Sequence, residues 1–153
     1  MSLDINEAGK NLIKFSEGCR TTAYRDSVGI LTIGYGHTGP DVHSGMSITK
    51  ERANELFDQD IRKFEQGVLK YIDDKDATTV NQFSAMVSLA YNIGVGGFRD
   101  SSVLKFHNKG LYKEAAQSFS LFVKAGGRVL SALVTRRKSE AVLYSTPDEK
   151  EDA

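Results

Sequence analysis

Thr21-Thr22-Ala23-Tyr24-Arg25-Asp26-Ser27-Val28-Gly29-Ile30-Leu31-Thr32-Ile33-Gly34-Tyr35-Gly36-His37-Thr38-Gly39 is the stretch that decides how this chain folds. Thr, Tyr, Val, Ile and Leu between repeated glycines favour short strands and tight turns. Asp26-Ser27-Val28-Gly29 reads as a hairpin turn, and Gly34, Gly36 and Gly39 punctuate the strand that follows. The glycine spacing has a superficial likeness to a phosphate loop. Such a loop ends in Gly-Lys-Ser/Thr, whereas this one ends in Gly36-His37-Thr38, and that reading is discarded.

On both sides of this stretch the pattern is helical. Asp4, with Glu7 three residues on, reads as a helix start with Asp as the cap. Ile5, Ala8, Leu12 and Ile13 then fall at helical spacing, and Gly18 after Glu17 can end the helix in a left-handed cap. Thr49 caps a long helix whose apolar stripe is Ala53, Leu56, Phe57, Ile61, Phe64 and Val68. Thr79-x-x-Gln82 is a capping box for another, with Phe83, Met86, Val87, Ala90 and Tyr91 on one face. Shorter helices are expected around Ser101–His107, Tyr112–Val123 and Val134–Tyr144, separated by glycines.

The expectation is a single α+β domain over residues 1–144. It has a small β lobe (about 18–48), a linking helix (about 49–72) and a larger helical lobe (about 78–144, with the first helix 4–17). Two lobes joined by one helix would leave a cleft between them, where substrate sites commonly sit. The acidic residues 145–153, with Pro147, read as a frayed, flexible tail.

The 153 residues are 40% hydrophobic and 26% charged, an ordinary globular composition that argues against disorder. No window approaches the roughly 18 apolar residues of a membrane span, so no stable membrane anchor is expected. The N-terminus lacks the basic and apolar regions of a secretory signal, which points to synthesis in the cytoplasm. Cys19 is the sole cysteine, which excludes an internal disulfide and reads as a small apolar filler. The net charge of zero is uneven: ten Lys/Arg face thirteen Asp/Glu in residues 1–98, nine face three in 99–144, and one faces four in the tail. The basic segment could face a polyanion. Its cations are scattered at helical spacing and no nucleic-acid motif appears, so nucleic acid is not expected as a partner.

Glu17 ends the first helix, Asp26 lies in the polar turn, and Thr32 follows in the strand. Hydrolysis of a glycosidic bond needs two carboxyls in unlike environments, one to protonate the leaving oxygen and one to stay ionised. Glu17, beside apolar residues such as Phe15, and Asp26, in a glycine-rich turn, suit that division. Many Glu/Asp pairs in a chain with 20 acids would do so by chance; the order and spacing carry more.

Leu12-Ile13-Lys14-Phe15-Ser16-Glu17-Gly18-Cys19-Arg20, then Ala23 to Gly29, then Leu31 to Gly39, closely resembles the signature of the T-even phage lysozyme family, glycoside hydrolase family 24. The Glu-x8-Asp-x5-Thr spacing matches it without a gap. Further blocks that resemble it are Ile48–Glu51, Leu56–Asp60, Leu89–Gly94 and Gly97–Ser102. Ala125–Leu130 and Arg136–Glu140 are like the lambdoid-phage branch. The resemblance covers roughly residues 5 to 144. It implies a lysozyme-like fold and a muramidase that cuts the β-1,4 bond between N-acetylmuramic acid and N-acetylglucosamine in peptidoglycan during host lysis. It further implies inversion of configuration, and neither a cofactor nor a stable partner beyond the glycan is expected, so the chain reads as a monomer; the missing signal implies release from the host cytoplasm with the help of a separate holin.

Carried over by position, Glu17 becomes the general acid, Asp26 the base or electrostatic partner, and Thr32 the hydroxyl that holds the attacking water. Tyr91, Ser101 and Thr38 fall where substrate would bind, and Tyr35 is taken as a further substrate-binding residue. The chain departs from the family in having Leu31 where this branch often has Trp, and no Trp at all. Stacking against sugar would then fall to Tyr35, Tyr91 or Phe98. Thr135 replaces the first of a usual Arg triplet. His37 shares no ligand spacing with His43 or His107, so no metal is expected. It reads instead as a structural group that pins the β segment to the long helix, with Asp60 as the partner the resemblance suggests. Two competing readings are a lytic transglycosylase, which has no use for a water-holding Asp and Thr, and a catalytically inactive wall-binding domain, which should have lost its Glu or Asp.

Overall fold

The computed structural model describes residues 3–148. Among them are seven α-helices and two small antiparallel sheets, with the strands of the larger sheet confined to residues 20–38. By their contacts the described residues divide into two compact units, one formed by residues 14–63 and the other by the segments 3–13 and 64–148.

In the first unit, helix α1 (Glu7–Glu17) ends where Gly18, at φ +71°, donates its N–H to the Lys14 carbonyl, the left-handed stop expected of this glycine. Strand β1 (Arg20–Arg25) pairs with β2 (Leu31–Gly34), which pairs with β3 (His37–Thr38). Tyr24, Thr32 and Thr38 are opposite one another across the three strands. Between Arg20 and Tyr24 the register slips, because Thr21 and Ala23 exchange backbone hydrogen bonds with Ile48 and Met46 instead of β2. Ile33, Val42 and Leu56 form the core of the unit, with Ala23, Leu31, Met46 and Ile48 packed against them. Leu56 comes from helix α2 (Lys50–Tyr71), whose first turn is capped by the Thr49 hydroxyl accepting from the Arg52 N–H. Lys14 closes the unit. Its ammonium lies 4.9 Å from the Phe57 ring centre and 5.4 Å from that of Tyr35, and donates to Asn54.

The second unit is built around helix α3 (Val80–Ile93), which starts at the expected Thr79–Gln82 capping box. The stripe read from the sequence understates its burial: Asn81 to Ala90 are all buried. Its two serines are buried with their hydroxyls bonded. Ser84 accepts from the Asn6 N–H, and Ser88 donates to Glu140. Phe83, Met86, Val87 and Leu89 have no exposed surface; each such side chain contributes about 1.5–3 kcal/mol by leaving water. Helices α4 (Val95–Arg99), α5 (Ser102–Asn108), α6 (Tyr112–Ser118) and α7 (Ser131–Ser145) complete the unit, with a 3-10 turn at Phe119–Leu121. A short hairpin, β4 (Lys124–Ala125) with β5 (Arg128–Val129), turns on Gly126 and Gly127, both at positive φ.

Three expectations change. Helix α1 is capped by Asn6 rather than Asp4: Asn6 Oδ1 accepts from the Gly9 N–H, while the Ile5 N–H is taken by Glu65 and holds that residue outside the helix. Helix α7 starts at Ser131, three residues before the expected Val134. Residues 146–148 are docked rather than frayed. Asp148 accepts from the N–H groups of Val80 and Asn81 at the start of α3, and Asn81 Nδ2 donates to the carbonyls of Thr146 and Pro147. The rest of the expected tail, 149–153, lies outside the described residues. No helix among the described residues is long and apolar enough to cross a membrane.

Candidate active site

Glu17, Asp26 and Thr32 all belong to the unit of residues 14–63 and sit on successive elements: the end of α1, the residue after β1, and β2. The turn holds Asp26 closely. Its Oδ1 accepts from the N–H groups of Val28 at 3.0 Å and Ile30 at 2.9 Å, while its own backbone pairs with Ile30 and Gly29. Gly29 is needed at φ +85° to close this loop. The carboxylate is therefore oriented by backbone dipoles, with Oδ2 left for other work. Thr32 is 4% exposed and its hydroxyl donates to the Ile30 carbonyl at 2.9 Å. With its proton committed, that oxygen can only accept, which suits a water that must present a lone pair elsewhere.

Glu17 is half-buried. The apolar neighbour suggested for it is absent: Phe15 is 89% exposed, because the helix turns that position to solvent. Of the residues read as substrate-binding, Thr38 is exposed at the end of β3. Tyr35 is 8% exposed, edge-on to Phe57 at 5.7 Å, and offers a sugar almost no face. Burial first, then Cys19, raises its phenol above the ordinary tyrosine value. Tyr91 lies in the other unit, half-buried, its ring 4.8 Å from that of Phe64. Ser101 is buried there too, as the cap of α5: it accepts from the Leu104 N–H and donates to the Phe98 carbonyl. Phe98 is fully buried.

His37 meets Asp60 at 2.8 Å through Nδ1, tying β3 to α2. The sequence reading missed a second carboxylate. Asp41, four residues on, lies 2.9 Å from Nε2. Burial alone would lower the imidazole, but the bonds to Asp60 and Asp41 outweigh it and raise His37 above the usual histidine value. The bond to His37 lowers Asp41. Among the described residues no cluster of His, Cys, Asp and Glu fits a metal ion.

His107, weighed in the sequence only as a metal ligand, has a structural role. His107 is buried in the helical unit, with Nε2 2.9 Å from the Thr78 hydroxyl and Nδ1 2.6 Å from the Tyr144 hydroxyl. The Thr78 hydroxyl donates to the Asp74 carbonyl, so Nε2–H donates to Thr78 and Nδ1 accepts from Tyr144. This chain of bonds requires a neutral ring, and burial pushes the His107 pKa down to about 4.

The two histidines act on stability in opposite directions. His37, raised in the folded state, contributes fully below its unfolded pKa near ~6.5, and the contribution is lost as pH rises through the folded value. His107, lowered, contributes fully above ~6.5 and loses on the order of 3 kcal/mol as pH falls to about 4. Asp41, also lowered, adds a loss only in stronger acid. Thermal stability should therefore peak near pH ~6.5. That lies higher than the mildly acidic optimum that His37 and a carboxylate alone would give. Melting curves across pH for the parent and His37→Asn test this: the variant should lose the decline above neutrality and keep the acid limb. An unchanged alkaline limb would contradict it.

Two grooves, of 540 and 500 Å³, run along α6 and α7. Their lining contains none of Glu17, Asp26 and Thr32.

Residues 14–140 match the family model described as phage lysozyme. The chain is 42% identical over 150 residues to an endolysin of Bacillus phage B103, covering 97% of this chain and 56% of that protein. It therefore spans little more than half the length of that relative. It is 38% identical to the endolysin of Salmonella phage P22 over 93% of this chain and 98% of that one. The muramidase domain of SpmX from Asticaccaulis excentricus superposes with a TM-score of 0.87 at 37% identity, covering 95% of this chain and all of that one.

Proposed function

Because this chain belongs to the phage lysozyme family, we propose that it is a muramidase, an endolysin that hydrolyses the β-1,4 bond on the N-acetylmuramic acid side of peptidoglycan strands. The observation that carries the reading is the geometry around Asp26 and Thr32. Two backbone N–H groups orient the carboxylate, and a buried hydroxyl with its proton already committed stands on the neighbouring strand. Glu17 donates a proton to the leaving oxygen as the glycosidic bond breaks. Asp26 takes a proton from water, Thr32 accepts a hydrogen bond from that water, and the oxygen attacks the anomeric carbon. Each catalytic carboxyl is regenerated by exchange with solvent, with no covalent glycosyl intermediate. The substrate is a component of the wall, and the chain works as a monomer. Support comes from the names of the relatives, two of them endolysins and one a muramidase domain.

The test is digestion of purified peptidoglycan, with borohydride reduction of the new ends before acid hydrolysis. Reduced muramic acid is the expected product. Reduced glucosamine, or intact strands, would overturn the reading.

A further inference from the structure

Tyr24 is a side chain that the mechanism above does not use. It lies directly opposite Thr32 in the sheet, so the two side chains share a face as nearest cross-strand neighbours. It is half-buried, two residues before Asp26, and its hydroxyl has no hydrogen-bond partner among the described residues. A half-buried phenol commonly finds such a partner.

The backbone around it is shaped to one end. The register slips between Arg20 and Tyr24, where Thr21 and Ala23 pair with Ile48 and Met46, and the Arg20 guanidinium lies 4.4 Å from the Tyr24 ring centre. Bulges of this kind re-aim side chains beside active sites. Burial, and then the charge of Glu17, raise the phenol above the ordinary tyrosine value; Arg20 opposes this and Asp26 adds to it. Tyr24 is thus a neutral O–H donor that senses both candidate carboxyls.

Resting on the muramidase reading, we propose that Tyr24 contacts the glycan, its hydroxyl donating to a sugar oxygen beside the scissile bond, and that Arg20, stacked on the ring, fixes its position. Tyr24 is a substrate-binding residue and Arg20 a positioning residue.

The experiment uses the Glu17→Gln chain, which should bind without cutting, and calorimetry with a soluble tetrasaccharide of alternating N-acetylglucosamine and N-acetylmuramic acid. Adding Tyr24→Phe should weaken binding about five- to tenfold, the effect of one lost hydrogen bond. Adding Arg20→Gln should weaken it about two- to fivefold, the effect of losing the cation over the ring. In the otherwise unaltered enzyme Tyr24→Phe should raise KM by the same factor, leaving kcat and the melting temperature unchanged. Equal affinity with and without the Tyr24 hydroxyl would overturn the proposal and leave the muramidase reading intact. A Glu17→Gln chain that does not bind the tetrasaccharide at all would overturn both.

Discussion

Replacing Glu17 by Gln should lower the rate of wall clearing by about a hundredfold to ten-thousandfold, the range for losing a positioned proton donor. The amide keeps the shape of the side chain and its place at the end of α1, but it has no proton to give to the leaving oxygen. Glu17 is half-buried and is the last residue of a helix whose end is closed by backbone, through Gly18 to Lys14. The circular dichroism spectrum should therefore match that of the parent. Clearing of a suspension of purified walls, followed by turbidity, measures the effect. A purified, folded Glu17→Gln protein that cleared walls at the parent rate would remove Glu17 from the chemistry.

The second large effect is on stability and concerns three charges at the heart of the helical unit. Glu140 has no exposed surface, Arg137 has 1% and Arg136 has 4%. Glu140 Oε2 accepts from Ser88, from Arg136 Nε at 3.3 Å and from Arg137 Nη2 at 3.2 Å. Arg137 Nε lies 2.6 Å from the other carboxylate oxygen, an ion contact out of line for a hydrogen bond. Burial pushes the Glu140 carboxyl up, and the two guanidiniums pull it back. Glu140→Gln would remove the carboxylate charge that sits between two buried guanidiniums. Breaking a buried pair from one side costs about 3–5 kcal/mol. For a domain of this size that is a fall of roughly 10 °C in melting temperature. Lys138→Gln, an exposed neighbour on the same helix, should change nothing. A Glu140→Gln variant melting within about 2 °C of the parent would show that the cluster carries little net stability.

The parts of the fold that were legible in the sequence rest on local rules. Thr49 and Thr79 cap their helices because each has a hydroxyl one turn ahead of a run of apolar residues, and Gly18 and Gly29 adopt positive φ where other residues would be strained. What escaped depends on partners distant in the chain. Asn6 displaces Asp4 as the cap of α1 because Glu65 captures the Ile5 N–H. Asp148 stays docked because α3 presents it with two free N–H groups from nearly seventy residues away. The same holds for the site. Glu17, Asp26 and Thr32 stood out by their spacing, and His37 meets Asp60. Asp41 was invisible, since a carboxylate four residues along an irregular loop carries no periodic signal. That the Tyr35 ring packs edge-on against Phe57 and that Ser101 caps α5 was likewise invisible, since both depend on the folded chain.

The most direct test of the account is the anomeric configuration of the first product. Fresh digests of purified peptidoglycan, followed by proton NMR before mutarotation sets in, report it. A water held by Asp26 and Thr32 attacks from the face opposite the leaving oxygen, so the β-linked strand should yield α-configured N-acetylmuramic acid at the new reducing end. A β-configured end would mean that Asp26 acts as a nucleophile, and a 1,6-anhydro end would mean that no water is held there at all; either result contradicts the account.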